Sequence, residues 1–356
     1  MLAHLYGCYY QSYQSRSGCP ADRRPLDPLE TPIMLGSPDT KLPVRTLVFA
    51  PLVDASYGFL AAGCEASDLR DRIGEFDADF MPQAEREAVG AVVTSGIVGF
   101  TAAQMDLLPN LKLIACFGVG YENVDLAAAS ERGIAVTNAP ATNGETVADH
   151  TIMLMLAAAR GLPEVMGAAR EGRWNEARKR YRPTLNGARV GMLGLGAIGQ
   201  AIATRASAFN ASINYTTRSE KTGVPYRYIP DVLTLAKESD FLVVAIPGGK
   251  ETRHLIGREV LDALGPDGIL VNIGRGSVVD SQALAEALKD GRIHAAGVDV
   301  LEEEPEIPAA LLDAPNFVVT PHMAGRSPIG LRRQCERALD NLDRLLRGDV
   351  FACRVA

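Results

Sequence analysis

What this chain has little of narrows its chemistry. It contains a single tryptophan, Trp174, and five histidines (His4, His150, His254, His294 and His322), so a histidine with a chemical role can be sought by elimination. Six cysteines (Cys8, Cys19, Cys64, Cys116, Cys335 and Cys353) are scattered without a Cys-x-x-Cys pair. In a chain of 356 residues this argues against a disulfide framework and for reduced thiols in a cytoplasmic protein, and no metal site is expected. Basic runs are missing too. With a net charge of −7 and a pI near 5.4, no Lys/Arg stripe is offered to a phosphate backbone, so nucleic acid is not an expected partner. The longest apolar helical stretch, at 151–159, is far too short to span a bilayer, so no membrane partner is expected.

What is present reads as a large α/β protein. At 47% hydrophobic, 356 residues make two domains the default. Residues 1–40 stand apart: 1–20 carry four tyrosines and no acidic residue, and 21–40 are rich in Pro, Asp and Arg. They show neither an apolar signal core nor a cleavage site, and are expected to be a disordered extension. The fold-like pattern begins at Val44. Strands are expected at 44–50, 91–95, 113–117 and 134–138, with helices near 52–62 and 126–132; this alternation predicts a parallel sheet. A long helix over 145–160 is apolar almost all round, which predicts burial between domains or subunits. After a polar loop at 172–183, a second unit opens, with strands expected at Arg189–Leu193, Ser212–Thr216, 241–245, 269–273, 296–300 and 317–320. A last helix over 327–347 ends at Gly348, a normal C-cap.

The second unit opens on RVGMLGLGAIGQAIA, an apolar strand running through Gly194-x-Gly196-x-x-Gly199 into a helix. In that context the motif is a phosphate cradle. Gly194 permits a tight turn, Gly196 lets the backbone approach a pyrophosphate, and Gly199 allows close helix–strand packing. Ala197 and Ile198 then supply free helix-start amides to the anion. An NAD site has Asp or Glu about 20 residues after the glycines, on the ribose hydroxyls. Here the residue 218 − 196 = 22 positions after Gly196 is Arg218, flanked by Thr217 and Ser219. An arginine with hydroxyl neighbours suits a 2′-phosphate, so NADP(H) is expected in preference to NAD(H).

Elimination among the histidines leaves His322. His4 lies in the extension, His150 on the apolar helix in a structural role, His254 after the 247–252 loop facing solvent, and His294 before a buried strand. His322 follows FVVTP, at the carboxyl end of a strand, where ligands bind in open α/β sheets. Two neighbouring strand ends carry Gly274-Arg275-Gly276 and, beyond Asp299, the run Glu302-Glu303-Glu304-Pro305.

Taken together, FGVGYENVDL (117–126), GLGAIG (194–199), LVNIGRGSVVD (270–280), GVDVLEEEP (297–305) and TPHMAG (320–325) resemble the D-2-hydroxyacid dehydrogenases, over about 44–350. With Arg218 and the HMAGRS run at 322–327, the chain looks closest to the glyoxylate/hydroxypyruvate reductase branch. The resemblance implies two Rossmann-like doubly wound domains facing a cleft. A discontinuous, flavodoxin-like substrate domain would span 41–141 and 323–356, and a dinucleotide-binding Rossmann domain 142–322. It also implies roles. His322 would protonate the carbonyl oxygen of a small 2-oxo acid, Glu304, directly before Pro305, would orient it, and Arg275 would grip the carboxylate. Backbone amides of Val119 and Gly120 would hold that carboxylate from the other domain. Asp299 would bind the nicotinamide carboxamide, and Pro247 and Ile273 would line the cofactor. A homodimer through the nucleotide domain is implied, with Trp174 a candidate to reach the partner's pocket.

Rivals within the resemblance are phenylpyruvate, hydroxyphenylpyruvate and 2-ketogluconate reductases, whose pocket residues would come from the loop at 94–100. From another class, a non-catalytic nucleotide-sensing corepressor shares the same fold and trio. Because the fold-like pattern starts only at Val44, Met34 is a candidate native start, the alternative being a disordered tail from Met1. Intact-mass measurement of protein expressed from its own gene separates the two: a chain beginning at Met34 makes that residue the start, and a mass beginning at Met1 leaves the tail.

Overall fold

The computed structural model describes residues 37–356 apart from 74, 75 and 78. The expectations for 1–36, Met34 included, lie outside the described residues. Among those described, no single helix is long and apolar enough to cross a membrane.

The first lobe is an α/β layer built on five strands: β1 (Leu42–Val48), β2 (Cys64–Asp68), β3 (Ala91–Thr94), β4 (Leu113–Cys116) and β5 (Ala135–Thr137), with α1 (Asp54–Gly63), α2 (Gln83–Ala88), α3 (Ala102–Asp106) and α4 (Leu126–Glu131) between them. All pairings are parallel, in the order β2-β1-β3-β4-β5, which is the flavodoxin-like winding. The central strands AVVT and LIAC are buried at every position, as a parallel sheet covered on both faces requires.

The second lobe follows α5 (Gly144–Arg160), α6 (Leu162–Arg170) and the short α7 (Trp174–Ala177). Its strands are β6 (Arg189–Leu193), β7 (Ser212–Thr216), β8 (Arg227–Tyr228), β9 (Phe241–Val244), β10 (Ile269–Asn272), β11 (Ala295–Val298) and β12 (Phe317–Val319). They are all parallel, in the order β12-β11-β10-β9-β6-β7-β8. Counted from β6 this is the Rossmann order 3-2-1-4-5-6 with a seventh strand added. The connecting helices are α8 (Ala197–Ser207), α9 (Val232–Lys237), α10 (Arg258–Leu264), α11 (Ser281–Lys289) and α12 (Ala309–Leu312).

The chain then returns. The last helix, α13 (Pro328–Arg347), starts on Ser327, whose hydroxyl accepts from the Gly330 amide, and ends at Gly348 in the left-handed region, φ 70°. It packs on α1, β1 and β4 of the first lobe. Beyond it, Arg354 bridges antiparallel to Thr137, so the C-terminus covers the outer edge of β5.

Three expectations need correction. Of the two places expected for the long helix, between domains or between subunits, the first is not found: α5 packs on α8 and on β10–β12 of its own lobe, burying Leu154 and Met155. It ends at Arg160 as expected, but from Gly161, φ 56°, a second helix that was not expected leaves. The loop at 172–183 contains the turn of α7. Helix α5 and β11 approach closely, since a Cβ on Gly297 would stand 3.1 Å from the Leu154 carbonyl oxygen. Leu154→Ala is therefore expected to lower unfolding stability by about 2–5 kcal/mol. Urea denaturation checks this, and a loss below about 1 kcal/mol would mean the site closes up around the deletion.

Candidate active site

Strand β6 runs into Gly194, whose φ of 99° belongs to glycine and whose Cβ would stand 2.5 Å from the Ala245 carbonyl oxygen. A Cβ on Gly199 would meet the Gly194 carbonyl oxygen at 2.4 Å, so this glycine lets α8 turn tightly against the strand. Gly196 differs: nothing lies within 4 Å of its missing Cβ. Its bare Cα opens onto free space at the start of α8, which has no side-chain cap on its first amides, those of Ala197 and Ile198 among them. That is the geometry a pyrophosphate fits. At the end of β7, the Thr217 hydroxyl donates to the Ser219 carbonyl at 2.7 Å. The Arg218 side chain is 92% exposed, 3.6 Å from Glu251. Pro247 is exposed just past β9, and Ile273 is buried just past β10.

The adjacent strands β10, β11 and β12 bring the other candidates to one edge. Gly276 packs on the Leu301–Glu302 backbone so closely that no side chain would fit, which joins the loop of Arg275 to the loop of Glu304. Asn272 shapes the first loop: its amide donates to the Arg275 carbonyl at 3.0 Å and its oxygen accepts from the Gly274 amide at 3.1 Å. Glu304 is held at both oxygens. Oε1 accepts from the Leu301 amide at 3.0 Å, and Oε2 lies 2.7 Å from Nδ1 of His322. A carboxylate only accepts, so Nδ1 carries a proton, and Nε2 makes no hydrogen bond among the described residues. Glu302 instead meets Nε2 of His254 at 2.9 Å and pairs with Arg253. His254 is thus half-buried and bonded rather than facing solvent, a correction to its expected place.

His322 has φ 49°, and its amide donates to the Asp299 carbonyl at 2.8 Å. Beneath it the Asp299 carboxylate is 2% exposed. Oδ1 accepts from the Thr320 hydroxyl at 2.6 Å and the Met323 amide at 2.9 Å, and Oδ2 from the Ala324 amide at 2.9 Å. Burial pushes this carboxyl up, but the bonds from His150, Thr320, Ala324 and Met323 outweigh it and hold it below the usual range. The observed partners of Asp299 therefore belong to the loop that carries His322. His150 joins them, with Nε2 2.9 Å from the Thr320 hydroxyl and 3.5 Å from Asp299. Its position on an apolar helix gave no sign of that neighbour.

From the first lobe, the loop after β4 turns at Gly118, φ 111°. The Gly118 carbonyl accepts from the Ala139 amide and the Val119 carbonyl from the Asn138 side chain. The amides of Val119 and Gly120 donate to nothing among the described residues. Arg275 reaches this loop: its Nε donates to Glu122 at 2.7 Å across 153 residues of sequence. Glu122 was not singled out in the sequence, although it lies inside the GVGYENVD motif.

The model of the D-isomer specific 2-hydroxyacid dehydrogenase NAD binding domain matches residues 152–324. Glyoxylate/hydroxypyruvate reductase A of Arabidopsis thaliana is 41% identical over 261 residues, 73% of this chain and 83% of that protein. The chain belongs to the D-isomer specific 2-hydroxyacid dehydrogenase family. Hydroxyphenylpyruvate reductase of Plectranthus scutellarioides is similarly close, 42% identical over 259 residues, 73% of this chain and 83% of that one. Among solved structures, the NADPH-dependent glyoxylate/hydroxypyruvate reductase of Sinorhizobium meliloti in complex with NADP and malonate superposes with a TM-score of 0.79 at 38% identity, covering 88% of this chain and 97% of that one. The reaction of this 2-hydroxyacid dehydrogenase is accordingly the reduction of a 2-oxo acid with a nicotinamide dinucleotide. The family resemblance and the two-sheet α/β fold read from the sequence are both borne out.

In this dehydrogenase His322→Ala, with the ring removed and the loop still tied to Asp299, is expected to lower kcat by about 10²–10⁴-fold. Steady-state assay beside a thermal melt checks it; near-normal turnover would mean another group delivers the proton.

Proposed function

We propose that the protein reduces small 2-oxo acids, glyoxylate and hydroxypyruvate, with NADPH. The observation that carries this reading is the His322–Glu304 pair at 2.7 Å, set at the strand ends beside Arg275 and beyond a glycine cradle that leaves Gly196 bare. The nicotinamide, when bound, supplies the hydride. The residues of the chain do the rest. Arg275, with the amides of Val119 and Gly120, receives the substrate carboxylate and places the 2-carbon. Nε2 of His322 gives its proton to the carbonyl oxygen as charge develops there, and Glu304, bonded to Nδ1, orients the ring for that transfer. Asp299 keeps the loop of His322 in place from below.

For the cofactor, the NADPH reading rests on an unburied guanidinium at Arg218 where an NAD site would carry an acid, and on the NADP named with the Sinorhizobium meliloti relative. Met153, Leu162, Met166 and Trp174 are exposed apolar side chains on α5, α6 and α7, and we assign them to a homodimer contact in a cytoplasmic enzyme. A second reading has one observation in its favour. Ile97, 62% exposed, has its carbonyl fixed by Asn123 at 2.8 Å on the rim of the Glu122 loop, an apolar neighbour suited to an aromatic 2-oxo acid.

Steady-state reduction of glyoxylate, hydroxypyruvate and phenylpyruvate, each with NADPH and NADH, tests both. NADPH with the two small acids is expected to give the highest kcat/KM, and Arg218→Ala to erode the NADPH advantage about tenfold or more, the worth of a lost charge-assisted bond. A phenylpyruvate preference selects the second reading, and an NADH preference removes the role given to Arg218.

A further inference from the structure

We propose that Glu122 is a positioning residue for substrate: by holding one edge of the Arg275 guanidinium it aims the other edge at the Val119–Gly120 amides, where a 2-oxo acid's carboxylate would sit. This rests on the reductase reading above and assigns a part to a residue outside the His, Glu and Arg set.

Four observations carry it. First, the donors of Arg275 are divided. Nε–H goes to Glu122 at 2.7 Å and Nη1 to the Gly274 carbonyl at 2.9 Å, while Nη2 lies 2.7 Å from where a Cβ on Gly120 would stand. The fork is therefore pinned from two sides, with its remaining edge against the glycine loop. Second, the carboxylate of Glu122 has a space made for it. Its Oε2 is the nearest atom, at 2.5 Å, to a Cβ built on Gly120, so a side chain there would drive into it; a Cβ on Gly96 would meet the Gly120 backbone at 2.5 Å and then this oxygen at 2.7 Å. Neither glycine has a positive φ, so Gly120 is explained by the room it leaves for the carboxylate, and Gly96 by the approach of the Gly120 backbone as well as that oxygen. Third, the pair joins the two lobes, Glu122 from the loop after β4 and Arg275 from the loop after β10. Fourth, Arg275 is partly buried beside an accessible Glu122, and although burial raises the Glu122 carboxyl, the Arg275 charge and hydrogen bond together with the backbone amides of Glu122 and Tyr121 outweigh it and hold the group below the usual carboxylate range.

Coulomb's law alone makes the opposite prediction. A carboxylate beside Arg275 lowers the local positive charge, so its removal should strengthen attraction for a substrate anion. Orientation works the other way: an arginine binds a carboxylate well only when its planar fork is presented edge-on, and a long unpinned side chain loses rotamer freedom on binding. The pinning at two points, in a space cleared by two glycines, decides for orientation.

The test is a double-mutant cycle on the full-length protein with NADPH and glyoxylate, using Glu122→Gln and Glu122→Ala, alone and in an Arg275→Ala background. Each single change at Glu122 is expected to raise KM about 10–100-fold, the range of a lost charge-assisted bond, with kcat within about threefold. In the Arg275→Ala background the same change should move KM less than about twofold, because there is no fork left to aim. A merely structural role would instead shift the melting temperature and NADPH affinity, both of which should stay at the parent values in Glu122→Gln. An unchanged or lowered KM in the single variants, or an equal rise in both backgrounds, overturns the proposal. If the parent protein turns over no 2-oxo acid, the reductase reading has failed on its own account. The cycle is then read by calorimetric titration of oxalate, where a weakening confined to the Arg275 background decides for Glu122 and equal affinities decide against it.

Discussion

Asp299 is an ionised carboxylate sealed at 2% exposure under the carboxyl end of β11, and much of the site's shape follows from satisfying it. A buried charge without partners costs several kcal/mol, so donors have to be brought to it. They come from one short stretch of chain: the hydroxyl of Thr320 and the amides of Met323 and Ala324, with the His150 ring alongside. Residues 320–324 can supply all of these only by wrapping over the carboxylate, and the residue at the top of the wrap is His322. Its left-handed φ of 49° is uncommon for a residue with a Cβ, and the bonds on either side of it hold it there. The ring is thereby fixed within reach of Glu304 by an anchor the ring itself does not touch.

The two groups proposed to act on substrate are each governed by a carboxylate, but in different ways. Glu304 and His322 lie on loops of the same sheet, after β11 and β12, so their pairing is complete within the second lobe. Arg275 takes its orienting carboxylate from the first lobe. The proton-handling half of the site is thus independent of how the lobes are disposed, whereas the carboxylate-binding half requires them to be together. Hinge motion in such an enzyme would leave the His322 pair intact and change what Arg275 can grip.

How much of this the sequence discloses follows from the range of each constraint. Strands such as AVVT, LIAC, FLVV and ILVN are legible because a parallel strand buried on both faces is a bare apolar run. The cradle is legible because φ at Gly194 and the squeeze at Gly199 leave glycine as the fitting residue. The edge strand β2, CEASD, is not: at a sheet edge it needs no apolar run and has none. Nor is α6, since a glycine that ends one helix does not tell whether another leaves from it. The site divides the same way. His322 and Arg275 stand at strand ends that can be read locally, and Glu304 could be chosen from three glutamates only by its resemblance to a family pattern. The contacts of Asp299, His150 and Glu122 join residues tens to hundreds of positions apart, and no local pattern encodes them.

Glycine carries two kinds of information in this chain, and separating them explains the carboxylate-binding loop. Gly118, at φ 111° with nothing near its missing Cβ, is there for the backbone conformation. Gly96 and Gly120 have no positive φ and no room: Gly96 lies against the Gly120 backbone, and Gly120 leaves the space beside Arg275. The space is filled by a carboxylate that leaves Arg275 and Glu122 together without net charge. A clamp of that kind draws little on long-range attraction and depends on directed N–H groups, the outer edge of one guanidinium and the amides of Val119 and Gly120, which are unpaired among the described residues. Such donors favour a planar carboxylate, which meets the fork edge-on, over a tetrahedral anion of equal or greater charge. On this argument the preference for a 2-oxo acid is set by the direction of a few N–H bonds, and the acidic partner of Arg275 is what gives them that direction.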